Sequence, residues 1–121
     1  MKRILLADDE EVLRMLIVDT LEEEGYEIVE AEDGYEALEW LRKDTFDLVI
    51  LDNMMPGKTG IEVARDIQSL PHRDDFDILM LTAKHQQKDI DESKQAGIQY
   101  YMGKPFSPMK LMEVVEEILN A

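Results

Sequence analysis

Apolar runs of strand length alternate five times along the chain with segments of helical periodicity. The strand-like runs are Arg3–Ala7, Glu27–Ala31, Asp47–Leu51, Ile78–Leu81 and Gln99–Met102. Three of them read Ile4-Leu5-Leu6-Ala7, Leu48-Val49-Ile50-Leu51 and Ile78-Leu79-Met80-Leu81, with no polar residue between the apolar ones. Such runs indicate strands buried on both faces, as in a parallel sheet between two layers of helices.

The first intervening helix is predicted over Glu11–Glu24 and stopped by Gly25, with Val12, Leu13, Leu16, Ile17, Thr20 and Leu21 inward. The second is predicted over Tyr35–Lys43, with Asp33 or Gly34 near its start and Ala37, Leu38 and Leu41 inward. The third runs from Gly60 to Leu70 ahead of Pro71, burying Ile61, Ala64 and Ile67. The last has a clear start, with Ser107 as cap and Pro108 at the first helical position. Its apolar set is Leu111, Met112, Val115, Ile118 and Leu119. The fourth, Lys88–Ala96, differs: Ile90 and Ala96 are its clear apolar contacts. A helix with so little to bury is held weakly and belongs to the mobile end of a fold. The whole is a (βα)5 pattern, a doubly wound five-stranded parallel sheet with helices on both faces. Crossovers are then right-handed, and ligands sit beyond the carboxyl ends of the strands. The strand order 2-1-3-4-5 is taken from other doubly wound proteins and not read from these residues.

The 121 residues suffice for one domain, 1–121, around one core. No linker, repeat or low-complexity stretch divides them. With no cysteine, disulfides and thiolate metal sites are excluded, and the chain fits a reducing, cytoplasmic setting. The apolar run after Met1-Lys2-Arg3 is too short for a signal peptide, and no stretch approaches the roughly 18 residues of a membrane span. The formal net charge of −15 repels phosphate backbones and argues against direct nucleic acid binding. Most of the 28 acidic residues are a solvated surface, so those with a chemical role must be picked out by position.

Position does single some out. The first strand ends at Asp8-Asp9-Glu10, the third at Asp52, the fourth at Thr82-Ala83, and the fifth is followed by Lys104-Pro105. In the order 2-1-3-4-5 these strands are neighbours. At about 4.8 Å per strand, Lys104 starts roughly 10 Å across the sheet from Asp52, a gap its stem can nearly bridge. Three carboxylates, a hydroxyl and an ammonium would meet on one rim. Close carboxylates repel by roughly 4 kcal/mol per pair at an effective dielectric near 20. A hard divalent cation relieves this, and Mg²⁺ takes carboxylates, a carbonyl and water. A carboxylate can also be the nucleophile that forms an aspartyl phosphate. The cation would neutralise phosphoryl oxygens while Thr82 and Lys104 pair with others. Each residue alone has a plainer explanation. A strand-end Asp is usually a turn residue or helix cap, Asp-Asp-Glu before a helix can serve capping and the dipole, and a Lys before Pro is usually solvated. Their joint placement after apolar runs is what those explanations do not cover.

Four segments carry a resemblance over essentially the full length: Ile4-Leu5-Leu6-Ala7-Asp8-Asp9-Glu10, Leu51-Asp52-Asn53-Met54-Met55-Pro56, Thr82-Ala83, and Tyr101-Met102-Gly103-Lys104-Pro105-Phe106. In combination the chain resembles the receiver domains of two-component response regulators. The resemblance implies that Asp52 is the phosphoacceptor, that Asp9 ligates Mg²⁺ (Mn²⁺ being an alternative) and that Asp8 holds metal-bound water. It implies that the Met54 carbonyl completes the protein's share of the metal shell. Thr82 would be the switch hydroxyl, Tyr101 the switch aromatic, and Lys104 the phosphoryl-pairing lysine, followed by a cis bond to Pro105. The expected role is signalling, not enzymatic turnover. The implied partners are a sensor histidine kinase or phosphotransfer protein and an output domain or downstream protein, with a homodimer on phosphorylation also allowed. The surface of the fourth helix, fifth strand and fifth helix would carry the readout.

Two features depart from or vary within the family. Where Pro-x-Met-Asp-Gly is common, this chain has Pro56-Gly57-Lys58-Thr59-Gly60. Lys58 lies near enough to the site for its charge to bear on metal or phosphoryl affinity, although a solvated surface lysine is the plainer expectation. The positions two after the acceptor and two after the switch threonine tune dephosphorylation, and here they are Met54 and Lys84. Met54 has no polar group to position water, so a long-lived phosphoryl group is expected. Among alternatives, a haloacid-dehalogenase-like phosphatase needs a second Asp at position 54 and a cap. A flavodoxin-type carrier would meet repulsion from Asp8-Asp9-Glu10-Glu11. A receiver-like module that binds without phosphorylation would not need Asp8, Asp9, Asp52, Thr82 and Lys104 together.

Overall fold

A computed structural model describes residues 1–83, 91–92 and 94–120. Five strands, β1 (Arg3–Ala7), β2 (Glu27–Ala31), β3 (Leu48–Asp52), β4 (Asp77–Thr82) and β5 (Tyr100–Gly103), form one sheet. All pairs are parallel, in the order β2-β1-β3-β4-β5. Helices α1 (Glu11–Glu23), α2 (Gly34–Lys43), α3 (Gly60–Ile67) and the C-terminal α4 (Pro108–Leu119) pack on its two faces.

The uninterrupted apolar runs explain the layering. Successive side chains of a strand point to opposite faces. Leu5, Ala7, Val49, Leu51, Ile78 and Met80 face α2 and α3, with Ala37, Leu38, Leu41, Ala64 and Ile67. The alternate residues Ile4, Leu6, Leu48, Ile50, Leu79 and Leu81 face α1 and α4, with Ile17, Leu21, Leu111, Val115 and Ile118. The central strand β3 is buried along its whole length.

Local signals fix the ends. Asp33 Oδ1 accepts the Glu36 N–H at 2.8 Å, and Ser107 Oγ accepts that of Lys110 at 3.1 Å. Thr59 and Glu62 form a reciprocal capping box at the head of α3. Gly25 follows α1 with φ +89°, the left-handed region that glycine enters without a Cβ clash.

Three expectations are corrected. Val12 and Leu16 do not face the core: they are 81% and 40% exposed. The apolar arc of α1 is wider than the sheet can cover, and the buried stripe runs through Leu13, Ile17, Thr20 and Leu21 instead. Helix α3 ends at Ile67 and not Leu70. Leu70 N–H donates to the Ile67 carbonyl at 2.9 Å and Gln68 N–H to Arg65 at 3.3 Å, so tight i→i+3 turns replace the last helical turn before Pro71. A short 3₁₀ turn, Arg73–Asp75, follows where no element was expected. Finally, β3, β4 and β5 each run one residue further than expected, so that Asp52, Thr82 and Gly103 are the last ladder residues. The ladder continues because Asn53 N–H reaches the Leu81 carbonyl at 2.9 Å and Lys104 N–H the Thr82 carbonyl at 2.7 Å. Of the expected fourth helix, residues 91, 92, 94 and 95 are helical, while its start and Ile90 lie outside the described residues.

Candidate functional site

The carboxyl ends of β1, β3 and β4 and the turn after β5 bring the predicted residues to one rim. Asp8 follows Ala7, the last residue of β1, and its N–H donates to the Ala31 carbonyl at 3.1 Å. Asp52 pairs across the sheet with Leu81, and Thr82 with Gly103. Oxygen atoms of Asp8, Asp9 and Asp52 lie within 4.8 Å of one another. Lys104 extends back over the sheet, placing Nζ 2.9 Å from Asp52 Oδ2. The peptide bond between Lys104 and Pro105 is cis, as the resemblance implies.

Two of these carboxylates are not surface groups. Asp8 is fully buried and Asp52 is 1% exposed, whereas Asp9 is exposed. The N-cap residue of α1 is Glu10, and its side chain makes no capping bond. Asp8 Oδ1 instead accepts the Glu10 N–H at 2.9 Å, folding the Asp8-Asp9-Glu10 turn over the rim. Asp8 Oδ2 meets no hydrogen-bond donor among the described residues. Asp52 Oδ1 accepts the Met54 N–H at 3.1 Å. Asp52 Oδ2 faces the Lys104 ammonium as an ion pair, without the alignment of a hydrogen bond. A buried carboxylate oxygen with no donor is costly. The cost appears in the Asp8 carboxyl, whose pKa is pushed up to about 7 by burial first and by the neighbouring Asp52 carboxylate; the Glu10 N–H and Lys104 pull the other way. A hard divalent cation is the natural complement of this donor set: three clustered carboxylates, one with an orphaned oxygen, open to solvent on the Asp9 side.

Thr82 is 8% exposed at the end of β4, and Tyr101 is 37% exposed on the edge strand β5. The Met54 side chain points to solvent, 68% exposed, so only its backbone belongs to the rim. Lys84 lies outside the described residues. Lys58 stays at the surface, 24% exposed, and is not applied to the rim. Its Nζ sits 2.6 Å from Asp66 Oδ2 and 5.6 Å from the centre of the Tyr35 ring.

Two supporting residues escaped the sequence. Arg14 donates from Nη1 to the Asp8 carbonyl at 2.7 Å while pairing with Glu30 at 3.2 Å, and so pins the turn that carries the carboxylates. Asn53 closes the loop after Asp52: its carbonyl accepts the Gly60 N–H at 3.2 Å and its Oδ1 that of Ile61 at 3.3 Å. Both act on backbone groups, which leave no pattern in the side-chain sequence. Gly60 is tied to the same closure. A Cβ there would lie 2.8 Å from the Asp52 carbonyl oxygen and 3.0 Å from the Asn53 Cα.

Comparison with known proteins agrees with this geometry. Residues 4–116 match the family model of the response regulator receiver domain. The alkaline phosphatase synthesis transcriptional regulatory protein PhoP of Bacillus subtilis is 41% identical over 119 residues, covering 98% of this chain and 49% of PhoP. The transcriptional regulatory protein PdtaR of Mycobacterium tuberculosis is 41% identical over 116 residues, or 95% of this chain and 55% of that protein. The chain thus spans about half the length of these curated relatives. Among solved structures, the chemotaxis protein CheY4 of Vibrio cholerae superposes with a TM-score of 0.94 at 34% identity, over 98% of this chain and 99% of that one. The receiver domain of the sensor histidine kinase PA1611 of Pseudomonas aeruginosa, which has a magnesium ion coordinated in its active-site cleft, superposes at 0.90 with 27% identity, over 99% and 98%. With the family model covering nearly the whole chain and the acidic rim, strand order and cis bond all in place, the chain belongs to the response regulator receiver domains of two-component systems.

Proposed function

We propose that this chain, as a single receiver domain over residues 1–121, accepts a phosphoryl group on Asp52 from a sensor histidine kinase or a phosphotransfer protein. The observation that carries this is the juxtaposition of three carboxylates within 4.8 Å and an ammonium 2.9 Å from the central one. Mg²⁺ fits the clustered carboxylates, and Asp8, Asp9, Asp52 and the Met54 carbonyl would hold it. Bound there, it supplies charge neutralisation to the phosphoryl oxygens.

The chain's own residues do the rest. An Asp52 oxygen attacks phosphorus as the bond from phosphorus to the donor's imidazole nitrogen breaks. The imidazole, protonated on its other ring nitrogen, leaves with that electron pair as the neutral base. Asp52 is held for attack by the Met54 N–H on Oδ1 and by Lys104 beside Oδ2. Lys104 and the Thr82 hydroxyl then pair with phosphoryl oxygens. Movement of Thr82 toward the new phosphoryl group would open space for Tyr101 to turn inward from its exposed position. The readout lies on the surface around β5 and α4, for an output domain or a downstream protein, with a phosphorylation-dependent homodimer as one form of it. The domain signals and does not turn over a substrate. It is proposed to work in the cytoplasm, off membranes and off nucleic acid. Its net charge is −15, and no helix among the described residues is long and apolar enough to cross a membrane. A dehalogenase-like phosphatase is disfavoured, because position 54 presents a solvent-facing methionine where an acid is needed.

The test is incubation with acetyl phosphate and Mg²⁺, read by intact mass and Phos-tag mobility. One phosphoryl group is expected on the wild type and none on Asp52→Asn. No gain, or equal gain in both, overturns the proposal. The exposed Met54 side chain offers an attacking water no hydrogen bond, so the phosphoryl group should outlast that of a Met54→Asn variant several-fold. Equal decay rates would remove Met54 from that role.

A further inference from the structure

The loop from Asn53 to Thr59 returns the chain from Asp52 to the head of α3, and it is fastened at both ends. At its base, Asn53 accepts from Gly60 and Ile61. At its tip, Lys58 N–H donates to the Pro56 carbonyl at 2.9 Å around Gly57, whose φ is +79°. This tight turn, closed across a single residue, seats on the start of α2. A Cβ at Gly34 would lie 2.9 Å from the Lys58 carbonyl oxygen, and a Cβ at Gly57 would lie 2.9 Å from Tyr35 Cε2. From this seat the Lys58 ammonium reaches Asp66 on α3 and covers the Tyr35 ring on α2. Its side chain is 24% exposed, and Asp66 is the first cause of the upward shift of its pKa.

We infer that Lys58 and Tyr35 are positioning residues for the metal site: they clamp the tip of the acceptor loop so that the Met54 backbone stays against Asp52. The inference rests on the proposed cation site of Asp8, Asp9, Asp52 and the Met54 carbonyl. Met54 sits between the closed base and the seated tip, with its N–H already on Asp52 Oδ1 at 3.1 Å. A loop without the clamp would have to be ordered when the cation binds, and that entropy would be subtracted from the affinity. The alternative, that the Lys58 charge acts on the cation directly, has the opposite sign, since a positive charge nearby weakens cation binding. Pairing with Asp66 also offsets that charge.

The sign makes the test decisive. Mg²⁺ is titrated calorimetrically into metal-stripped wild type, Lys58→Met, Lys58→Arg, Tyr35→Ala and the double variant Lys58→Met with Tyr35→Ala. Both residues are surface-placed, and thermal melts check that each variant is folded. Mg²⁺ should bind roughly threefold more weakly to each of Lys58→Met and Tyr35→Ala, the size expected of exposed ion-pair and cation–π contacts. The double variant should be no weaker than Lys58→Met alone, because the two residues act as one clamp. Lys58→Arg should restore wild-type affinity, since a guanidinium can both pair with Asp66 and stack on Tyr35. Amide exchange at Asn53 and Met54 should quicken in the metal-free single variants. Tighter binding in Lys58→Met, or unchanged affinity and exchange in Tyr35→Ala, overturns the clamp while leaving the cation site standing. A wild type that binds no Mg²⁺ overturns the cation site, and the clamp with it.

Discussion

Replacing Asp8 by Asn should weaken Mg²⁺ binding by at least tenfold and make the metal-free protein more stable. The two effects share one cause. Asp8 is fully buried, one of its oxygens lies within 4.8 Å of carboxylate oxygens on Asp9 and Asp52, and Oδ2 meets no donor among the described residues. At such spacings each pair of carboxylates repels by about 4 kcal/mol at an effective dielectric near 20. Lys104 offsets part of this, and its ammonium sits on Asp52 and not on Asp8. Asparagine keeps the shape, and its Oδ1 can still accept the Glu10 N–H. Its amide puts donors where Oδ2 now stands. The net gain should be about 2 kcal/mol, less than the raw repulsion because an attraction to Lys104 is lost as well. With Mg²⁺ the order should reverse: saturating cation stabilises the wild type by mass action and the variant far less. Urea denaturation with and without Mg²⁺ measures both. A destabilised Asp8→Asn in the absence of metal, or equal stabilisation of both proteins by Mg²⁺, would show that the cluster is not a strained cation site. Asp9→Asn should lose Mg²⁺ affinity similarly and gain less stability, because Asp9 is exposed and its charge is already screened by water.

The same contrast explains which parts of the molecule could be read from the sequence. The double-faced strands were legible because Leu48-Val49-Ile50-Leu51 has no polar residue to turn outward, and all four are fully buried. The helix starts were legible where a side chain does the capping, at Asp33 and Ser107. The face of α1 was not, because Val12, Met15 and Leu16 extend its apolar arc beyond the buried stripe and are left exposed. Nothing in a single amphipathic pattern says how much of a wide arc a sheet will cover. At the site, Asp8, Asp9, Asp52, Thr82 and Lys104 were legible because strand ends in a parallel sheet converge on one edge. The groups that hold them were hidden for the opposite reason. Arg14 and Asn53 bind backbone atoms, and Lys58 gains its meaning only from the turn at Gly57 that lifts it against Tyr35 and Asp66. Charge alone left Lys58 to solvent or to the rim; it stays at the surface, paired with Asp66 on α3.

Lys104→Ala should produce the opposite stability change to Asp8→Asn at the same rim, together with a loss of phosphoryl transfer of about a hundredfold. Lys104 Nζ is 2.9 Å from Asp52 Oδ2, and both side chains are largely withdrawn from water, at 18% and 1% exposed. Removing one partner of a buried pair leaves the other charge uncompensated, typically at about 3 kcal/mol. Here the abandoned carboxylate would also face Asp8 and Asp9 with no cation to divide the field. The protein would relieve part of this by keeping a proton on Asp8, whose burial already favours the protonated form. The second loss comes during transfer. A preorganised cationic donor aimed at the oxygens that gain charge is worth about 10²-fold or more when deleted. Lys104→Arg should restore most of the stability, since it keeps the charge. It should restore transfer only in part, because a planar fork on a longer side chain does not reproduce a compact ammonium. Saturating Mg²⁺ separates the two effects: it should recover stability by replacing the missing positive charge, yet leave the rate with acetyl phosphate about a hundredfold down. A Lys104→Ala protein as stable as wild type without metal would mean that the Asp52 pair contributes nothing to the fold. Wild-type phosphorylation rates in it would remove Lys104 from the chemistry, leaving Thr82 and the cation as the groups that meet the phosphoryl oxygens.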